Sequence, residues 1–517
     1  MEDAAGILAA LPRRLSDIAL KWAAERPDAP ALFERGRVWT YRELAQAQAQ
    51  IARLLTAHDV RPGDRVMLVS ENCAAMVGSM LAIAALDAWA VLVNSRLSAR
   101  EIDNIRAHSG ARRVLYMTHV STEAGAHAQR HGATALDLGQ MGAVSISPCN
   151  RDCKPEPVAS DPAEQVAALI YTTGTTGNPK GVMLTHRNLL FIAGVSGKLR
   201  GLNPKDRVYG VLPISHVYGL ASVCISTLLA GACLHLEAHF TARALAAALT
   251  EGGISVMQGV PAMYAKLLEL LKTQGEPFAA PALRFIYAGG SPLDPALKLA
   301  VETASGLILN NGYGLTEASP TITQTRHEHP RSDCSVGTPL PGVEIRIVDK
   351  HGVDVAPGEA GELWARGPNV MKGYYRNAEA TAQVIKPGGW LNTGDIARQG
   401  ADGALFIVGR TKEVIIRSGF NVYPVEVEAV LNSHPQVTQS AVVGREVEGN
   451  EEVVAFVELA PGATISVHEL QQFAADALTA YKRPAVIIVM PSLPAAANGK
   501  ILKNRLKEIA KIGAAPK

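Results

Sequence analysis

Six cysteines in 517 residues, none in a CxxC pair, are too few and too scattered for a disulfide framework. Cys149 and Cys153 are spaced like half of a zinc site, but no second half accompanies them. A reducing, cytoplasmic compartment is therefore expected. Aromatic residues make up 5% of the chain, and no basic tract interleaves with them, so nucleic acid is not an expected partner. Charge of one sign is lacking as well: 50 Lys plus Arg face 48 Asp plus Glu, a formal net charge of +2, which excludes a strongly polyanion-seeking surface. Long apolar runs are missing too. The most apolar stretch, residues 77–93, is cut by Asp87 and falls short of the roughly 18 to 20 residues of a membrane span. It reads as a buried helix followed by a strand. The N-terminus meets Glu2, Asp3, Arg13, Arg14 and Asp17 before any long apolar run, which is not the layout of a secretory leader.

What is present is enough apolar side chain, 48% of residues, to fill two or more cores in a chain of this length. Thr40 with Glu43, Ser98 with Glu101 and Ser466 with Glu469 are capping boxes, and each predicts a helix start. Between residues 160 and 320, short apolar runs at 166–171, 255–259 and 284–288 alternate with helical stretches at 261–271 and 294–304. That rhythm predicts a largely parallel sheet with helices on both faces. From Ser335 to about Gly409 it gives way to strand-like pieces between glycine turns, at 344–348, 361–366 and 404–408. A β-rich subdomain over 335–410 is thus expected at the end of a large α/β domain, residues 1–410. Residues 411–517 read as a small α+β domain, with helices at 423–432, from Val467 and from Ile501, and strands near 441–443 and 453–459. Polar, proline-bearing residues 132–162 read as a loosely ordered connection.

The most informative segment runs from Tyr171 to Gly181 (YTTGTTGNPKG), between two apolar runs, and reads as a strand-to-strand turn. Thr172, Thr173, Thr175 and Thr176 supply hydroxyl donors. Gly174 and its companions let a backbone nest approach polyphosphate, and Lys180 brings a mobile cation. ATP is the natural ligand. The spacing is not that of a Walker A loop, and no Lys-Ser or Lys-Thr pair follows to hold magnesium.

This loop and seven further motifs in order resemble the adenylate-forming superfamily of acyl- and aryl-CoA synthetases, luciferases and peptide-synthetase adenylation domains. The motifs are PISHVY (213–218), YAGGS (287–291), NGYGLTE (311–317), NTGD (392–395), GRTKE (409–413), SGFNVYP (418–424) and NGK (498–500). The resemblance spans about Leu15 to Lys507. It implies a large domain and a small mobile one, joined at a hinge near Lys412, that turns between two poses for two half-reactions. Several members carry Asp where this chain has Lys412, so the polar partners that fix each pose are not legible.

The roles that the resemblance implies make physical sense for attack of a carboxylate on the α-phosphorus of ATP, which gathers anions and needs cations and N–H donors around them. Lys500 is similar to the lysine that bridges carboxylate and phosphate. Glu317 looks like the Mg2+ ligand, with Thr316 beside it on the α-phosphate. Asp395 and Arg410 would hold the ribose, while Gly289, Gly290, Asn311, Gly312 and Tyr313 would border the nucleotide. His216, placed at the end of an apolar strand, would contact the carboxylate at the mouth of an acyl pocket lined by Tyr218, Ser222, Val260 and Gly312. Gly419 would border the pantetheine tunnel of coenzyme A, where a side chain would obstruct the thiol.

The expected reaction is ATP plus a carboxylic acid plus coenzyme A giving acyl-CoA, AMP and pyrophosphate, with ATP, Mg2+ and coenzyme A as cofactors. An apolar pocket would suit aromatic or medium- to long-chain fatty acids. The alternative is an enzyme that stops at acyl-AMP or loads a carrier protein. The absence of a following carrier domain and of a rotation-blocking insertion favours coenzyme A. A luciferase-like oxygenase or a silent binding protein is a third reading. Several members form dimers, which leaves a homodimer open without an interface to assign.

Overall fold

The computed structural model describes residues 4–173, 179–418, 420–448, 450–460, 462–495 and 501–512. All three capping boxes start helices: Thr40 caps Tyr41–Ala57, Ser98 caps Ala99–Ser109 and Ser466 caps Val467–Ala477. A fourth box, unread in the sequence because Asn replaces Glu, joins Thr185 and Asn188 at the start of His186–Leu199. The Asn188 amide also donates to the carbonyls of Pro368 and Val370 at 2.7 and 2.9 Å, so this cap ties a helix to a distant segment.

The α/β body contains two large sheets where the alternating rhythm suggested one. The strand Val166–Thr173 lies in an eight-stranded sheet, beside Trp89–Asn94 and Arg65–Ser70 in parallel. The strands Val256–Gly259 and Phe285–Ala288 belong to a nine-stranded sheet, whose parallel centre runs on through Leu309–Gly314, Arg207–Gly210, Cys233–Leu236 and Pro30–Glu34. Periodicity identifies a strand but carries no information on its partner. The two sheets share one core. Helix Ala74–Ala85 is buried on almost every side and touches strands of both sheets, as expected for a helix apolar around its whole circumference.

The β-rich subdomain is an antiparallel sheet of Glu344–Val348, Ala360–Arg366, Trp390–Gln399, Ile385–Lys386 and Leu405–Arg410. Beyond it, Val437–Val447, Asn450–Leu459 and Val486–Met490 form a three-stranded sheet. Helices Pro424–Asn432 and Val467–Ala477 contribute to the core on one face, and Lys503–Ile512 to a second core on the other. These cores are distinct from that of the body, so the C-terminal unit is a small domain of its own. Among the described residues no helix is long and apolar enough to cross a membrane, and all six cysteines are free.

Residues 132–162 differ from expectation. Thr134–Asp137 forms the edge of the eight-stranded sheet and pairs with Ala143–Ile146, which pairs in turn with Arg113–Tyr116. The following carbonyls accept from guanidinium groups of other elements: Asn150 from Arg112 at 3.1 Å, Cys153 from Arg61 at 2.9 Å and Lys154 from the fully buried Arg65 at 2.8 Å. Backbone acceptors leave no periodic trace in a sequence, which is why this segment read as loose.

Asn188→Ala should therefore cost more than the loss of a cap. Urea unfolding is expected to show a loss of about 2 kcal/mol or more, against about 1 kcal/mol for Thr40→Ala. Equal losses would mean that the amide contacts to residues 368 and 370 contribute nothing.

Candidate active site

The strands that flank the Thr/Gly segment pair with each other: Val166–Thr173 runs antiparallel to Pro179–Thr185, placing Thr172 opposite Lys180. Gly174, Thr175, Thr176 and the side chain of Thr173 lie outside the described residues, as do Gly419 and Lys500. The hairpin is braced from below. Tyr171 shares a 2.8 Å hydrogen bond with His108 Nδ1, and a Cβ on Gly181 would come within 3.2 Å of the Tyr171 ring.

Lys180 Nζ lies 4.8 Å from the ring centroid of Tyr374, a cation–π contact. The Tyr374 hydroxyl donates to Glu317 Oε1 at 2.7 Å, and Glu317 sits on the short turn Thr316–Ala318. The strand Gly373–Tyr374 pairs with residues 182–183 of the hairpin, and the Met371 N–H donates to the Glu317 carbonyl at 2.9 Å. Burial, reinforced by the Glu317 carboxylate, holds the Tyr374 phenol well above its ordinary pKa. Thr316 is buried beside this group.

The strand Leu309–Gly314 carries the next cluster. Tyr313 donates to Asp395 Oδ2, and Asp395 Oδ1 pairs with Arg410 Nε at 3.2 Å. Asp395 and Arg410 face each other across antiparallel strands. Burial first, and the Asp395 charge second, push the Tyr313 phenol far up. The Asn311 amide donates to the carbonyls of Cys334 and Ser335 and its oxygen accepts the Gly312 N–H, so this side chain braces the strand end. A Cβ on Gly312 would lie 1.9 Å from Tyr287 Oη and 2.7 Å from the Thr323 carbonyl, so only glycine fits there.

His216 is not at the end of a strand. Arg207–Gly210 stops six residues earlier, and His216 is exposed on a turn that feeds the wide helical turn Tyr218–Ile225. Its Nδ1 accepts from the Tyr218 N–H at 3.2 Å. In the neutral ring this assigns the proton to Nε2. Tyr218 is buried, edge-on to Tyr287 with centroids 6.4 Å apart, and both rings come within 3.3 Å of where a Gly289 Cβ would stand. Gly290, at φ +80°, has Val260 and Tyr218 as its neighbours.

Around Ser222 the surroundings are not the apolar lining expected. The Ser222 carbonyl accepts from both Arg200 Nη1 and Gln258 Nε2 at 3.0 Å. Arg200 is 2% exposed and lies over the Tyr287 ring at 4.6 Å. Sequence reasoning missed Tyr374, Tyr287 and Arg200 as site residues. Tyr287 stood inside a quoted motif and Tyr374 in a Gly-Tyr-Tyr run, but an arginine at a helix end carries no sign of burial.

Lys412 lies on the turn Thr411–Glu413 between the β-rich sheet and the C-terminal domain. Lys503, unassigned from sequence, bridges Glu413 at 3.0 Å and Glu428 at 2.9 Å.

A strand pair that carries a lysine, a short turn that carries a carboxylate and a Tyr–Asp–Arg cluster on neighbouring strands, in a chain with a small second domain, are the build of an adenylate-forming enzyme. Comparison with known proteins agrees. The family model described as AMP-binding enzyme matches residues 20–375, and that of the AMP-binding enzyme C-terminal domain matches residues 426–500. A feruloyl-CoA synthase from Amycolatopsis sp. is 34% identical over 484 residues, covering 93% of this chain and 96% of the relative. A long-chain-fatty-acid–CoA ligase from Salmonella typhimurium is 31% identical, covering 95% and 93%. The solved o-succinylbenzoate CoA synthetase of Bacillus subtilis, in complex with its acyl-adenylate, superposes with a TM-score of 0.82 at 30% identity, covering 95% and 97%. The chain belongs to the AMP-binding enzyme family.

Gly312→Ala should destabilise the protein by about 1–3 kcal/mol through overpacking. Adding Tyr287→Phe removes the nearest atom and should recover part of that loss in a melting experiment. No recovery would identify the Thr323 backbone oxygen as the controlling contact.

Proposed function

We propose that the protein is an AMP-forming acid–CoA ligase, joining a carboxylic acid to coenzyme A through an acyl-adenylate with release of AMP and pyrophosphate. The observation that carries this reading is the contact of one tyrosine, Tyr374, with both Lys180 and Glu317, Glu317 lying four residues along the chain from Tyr313 of the Tyr313–Asp395–Arg410 cluster. One end suits a polyphosphate and the other a ribose.

Magnesium fits the residues present. Glu317 is a hard oxygen donor with no cation within ion-pair distance among the described residues, and no group of three or more metal-binding side chains is found there. A single carboxylate is what Mg2+ takes when phosphates and water complete its shell. When bound, the ion neutralises phosphate charge.

The chain's own groups have these roles. Thr172 and Lys180, with Thr173, Gly174, Thr175 and Thr176, hold the β- and γ-phosphates, and Thr316 donates to the α-phosphate. Asp395 and Arg410 take the ribose hydroxyls. Asn311, Gly312, Tyr313, Gly289 and Gly290 border the base. His216 offers its Nε2–H to the incoming carboxylate. Lys500 bridges carboxylate and α-phosphate as negative charge shifts to pyrophosphate. In the second half-reaction the domain of residues 411–517 turns about Lys412 and Gly419 lines the pantetheine path.

The acid is aromatic or a medium- to long-chain fatty acid, and aryl acids are the better fit. Two tyrosine rings and the buried Arg200 layer around Ser222 are a costly lining for an alkyl tail, because buried charge wants polar partners.

Purified protein with Mg·ATP and a panel of aryl and fatty acids, with and without coenzyme A, tests the reading by mass spectrometry. Acyl-CoA formed together with AMP is expected, and acyl-AMP that persists despite coenzyme A would replace it with a carrier-loading enzyme. Lys500→Ala should abolish acyl-AMP formation and leave thioester formation from supplied acyl-AMP much less affected; equal loss of both would remove Lys500 from the adenylation step.

A further inference from the structure

A site that must bind both polyphosphate and a divalent cation faces an electrostatic problem before either arrives. A lysine and a glutamate left side by side attract each other as an ion pair. Such a pair would spend on itself the charges that the ligands need. Lys180 and Glu317 do not pair in this way. Tyr374 touches both instead, its face toward the Lys180 ammonium at 4.8 Å and its hydroxyl on Glu317 Oε1 at 2.7 Å.

Tyrosine is suited to this place because it has an electron-rich face for the cation and a donor at its tip for the carboxylate. A phenylalanine would offer the first alone and a serine the second alone. The ring is aimed by its backbone. Residues 373–374 pair with 182–183 of the phosphate hairpin, the Tyr374 N–H donates to Thr381 Oγ1 at 2.9 Å, and Gly373 bends at φ +142° where a Cβ would meet Thr381 at 2.9 Å. Upstream, Asn188 holds the carbonyls of Pro368 and Val370, and the Met371 N–H holds the Glu317 backbone. The tyrosine is thus fixed to both elements whose side chains it touches.

We propose that Tyr374 is a positioning residue of the nucleotide site: its hydroxyl orients Glu317 for the divalent cation, and its ring keeps Lys180 available for phosphate. The proposal rests on the roles given above to Glu317 and Lys180.

Tyr374→Phe keeps the face and deletes the hydroxyl, whereas Tyr374→Leu deletes both. Mn2+ binding to the full-length protein with a non-hydrolysable ATP analogue, followed by electron paramagnetic resonance, reads the metal site without turnover. Removal of an outer-shell partner typically weakens metal binding by roughly 10- to 100-fold. Tyr374→Phe should weaken Mn2+ by about tenfold and raise by a similar factor the Mg2+ concentration for half-maximal adenylation, with kcat recovering at saturating Mg2+. Tyr374→Leu should in addition weaken the analogue at saturating metal. Glu317→Gln is the reference variant, and melting curves report folding for all three. Normal Mn2+ affinity in Tyr374→Phe where Glu317→Gln is impaired overturns the proposal alone. Normal affinity in Glu317→Gln overturns the metal assignment itself, and the proposal with it.

Discussion

The two-residue pairing of Gly373–Tyr374 with Val182 and Met183 is small, yet the arrangement of the proposed nucleotide site depends on it. Strand pairing is local in space and indifferent to distance along the chain, so it can join a hairpin near residue 180 to a segment almost two hundred residues later. It brings a segment from within residues 335–410 against the α/β body. It also sets the one tyrosine that touches both charged groups of the hairpin and of the turn Thr316–Ala318. The Asn188 cap adds a second fastening to the same segment from a buried helix.

Glycine has a matching part on the other side of the site. At Gly312 a Cβ would occupy the same space as the Tyr287 hydroxyl, and at Gly289 it would press on two rings. These close approaches let aromatic side chains and backbone form one wall, with Arg200 packed behind it. The wall is rigid in the sense that protein interiors are: adding even one carbon forces something to shift.

How much of this was legible from sequence differs by kind of interaction. Helix starts were, because Thr40, Ser98 and Ser466 state their caps within four residues. Most strands were, because their apolar runs are bounded by turns. The hairpin that carries Lys180 was legible too, as a concentration of small and hydroxylated residues between two such runs. Which sheet a strand joins was not: Val166–Thr173 and Val256–Gly259 look alike and lie in different sheets. The same limit hid Tyr374, Arg200 and Lys503, whose importance comes from partners far along the chain. His216 shows a related failure, since an apolar run before a histidine reads as a strand whether the chain continues extended or turns, as it does at residues 211–216. The polar stretch 147–156 was misread because its order comes from carbonyls that serve distant arginines.

Lys503 has a consequence for motion. Its ammonium is shared by Glu413, on the linking turn, and by Glu428, on the first helix of the C-terminal domain, and its pKa is raised because these two charges outweigh the cost of its burial. Everything from Glu413 onward is thereby clamped to the small domain as one stiff lever. If the small domain turns about Lys412 as proposed, torsional play between the two domains is confined to the few backbone dihedrals ahead of that clamp, at Thr411 and Lys412. A linker so short acts as a pivot with a defined axis and not as a tether, so it permits rotation while it forbids the lever from drifting away.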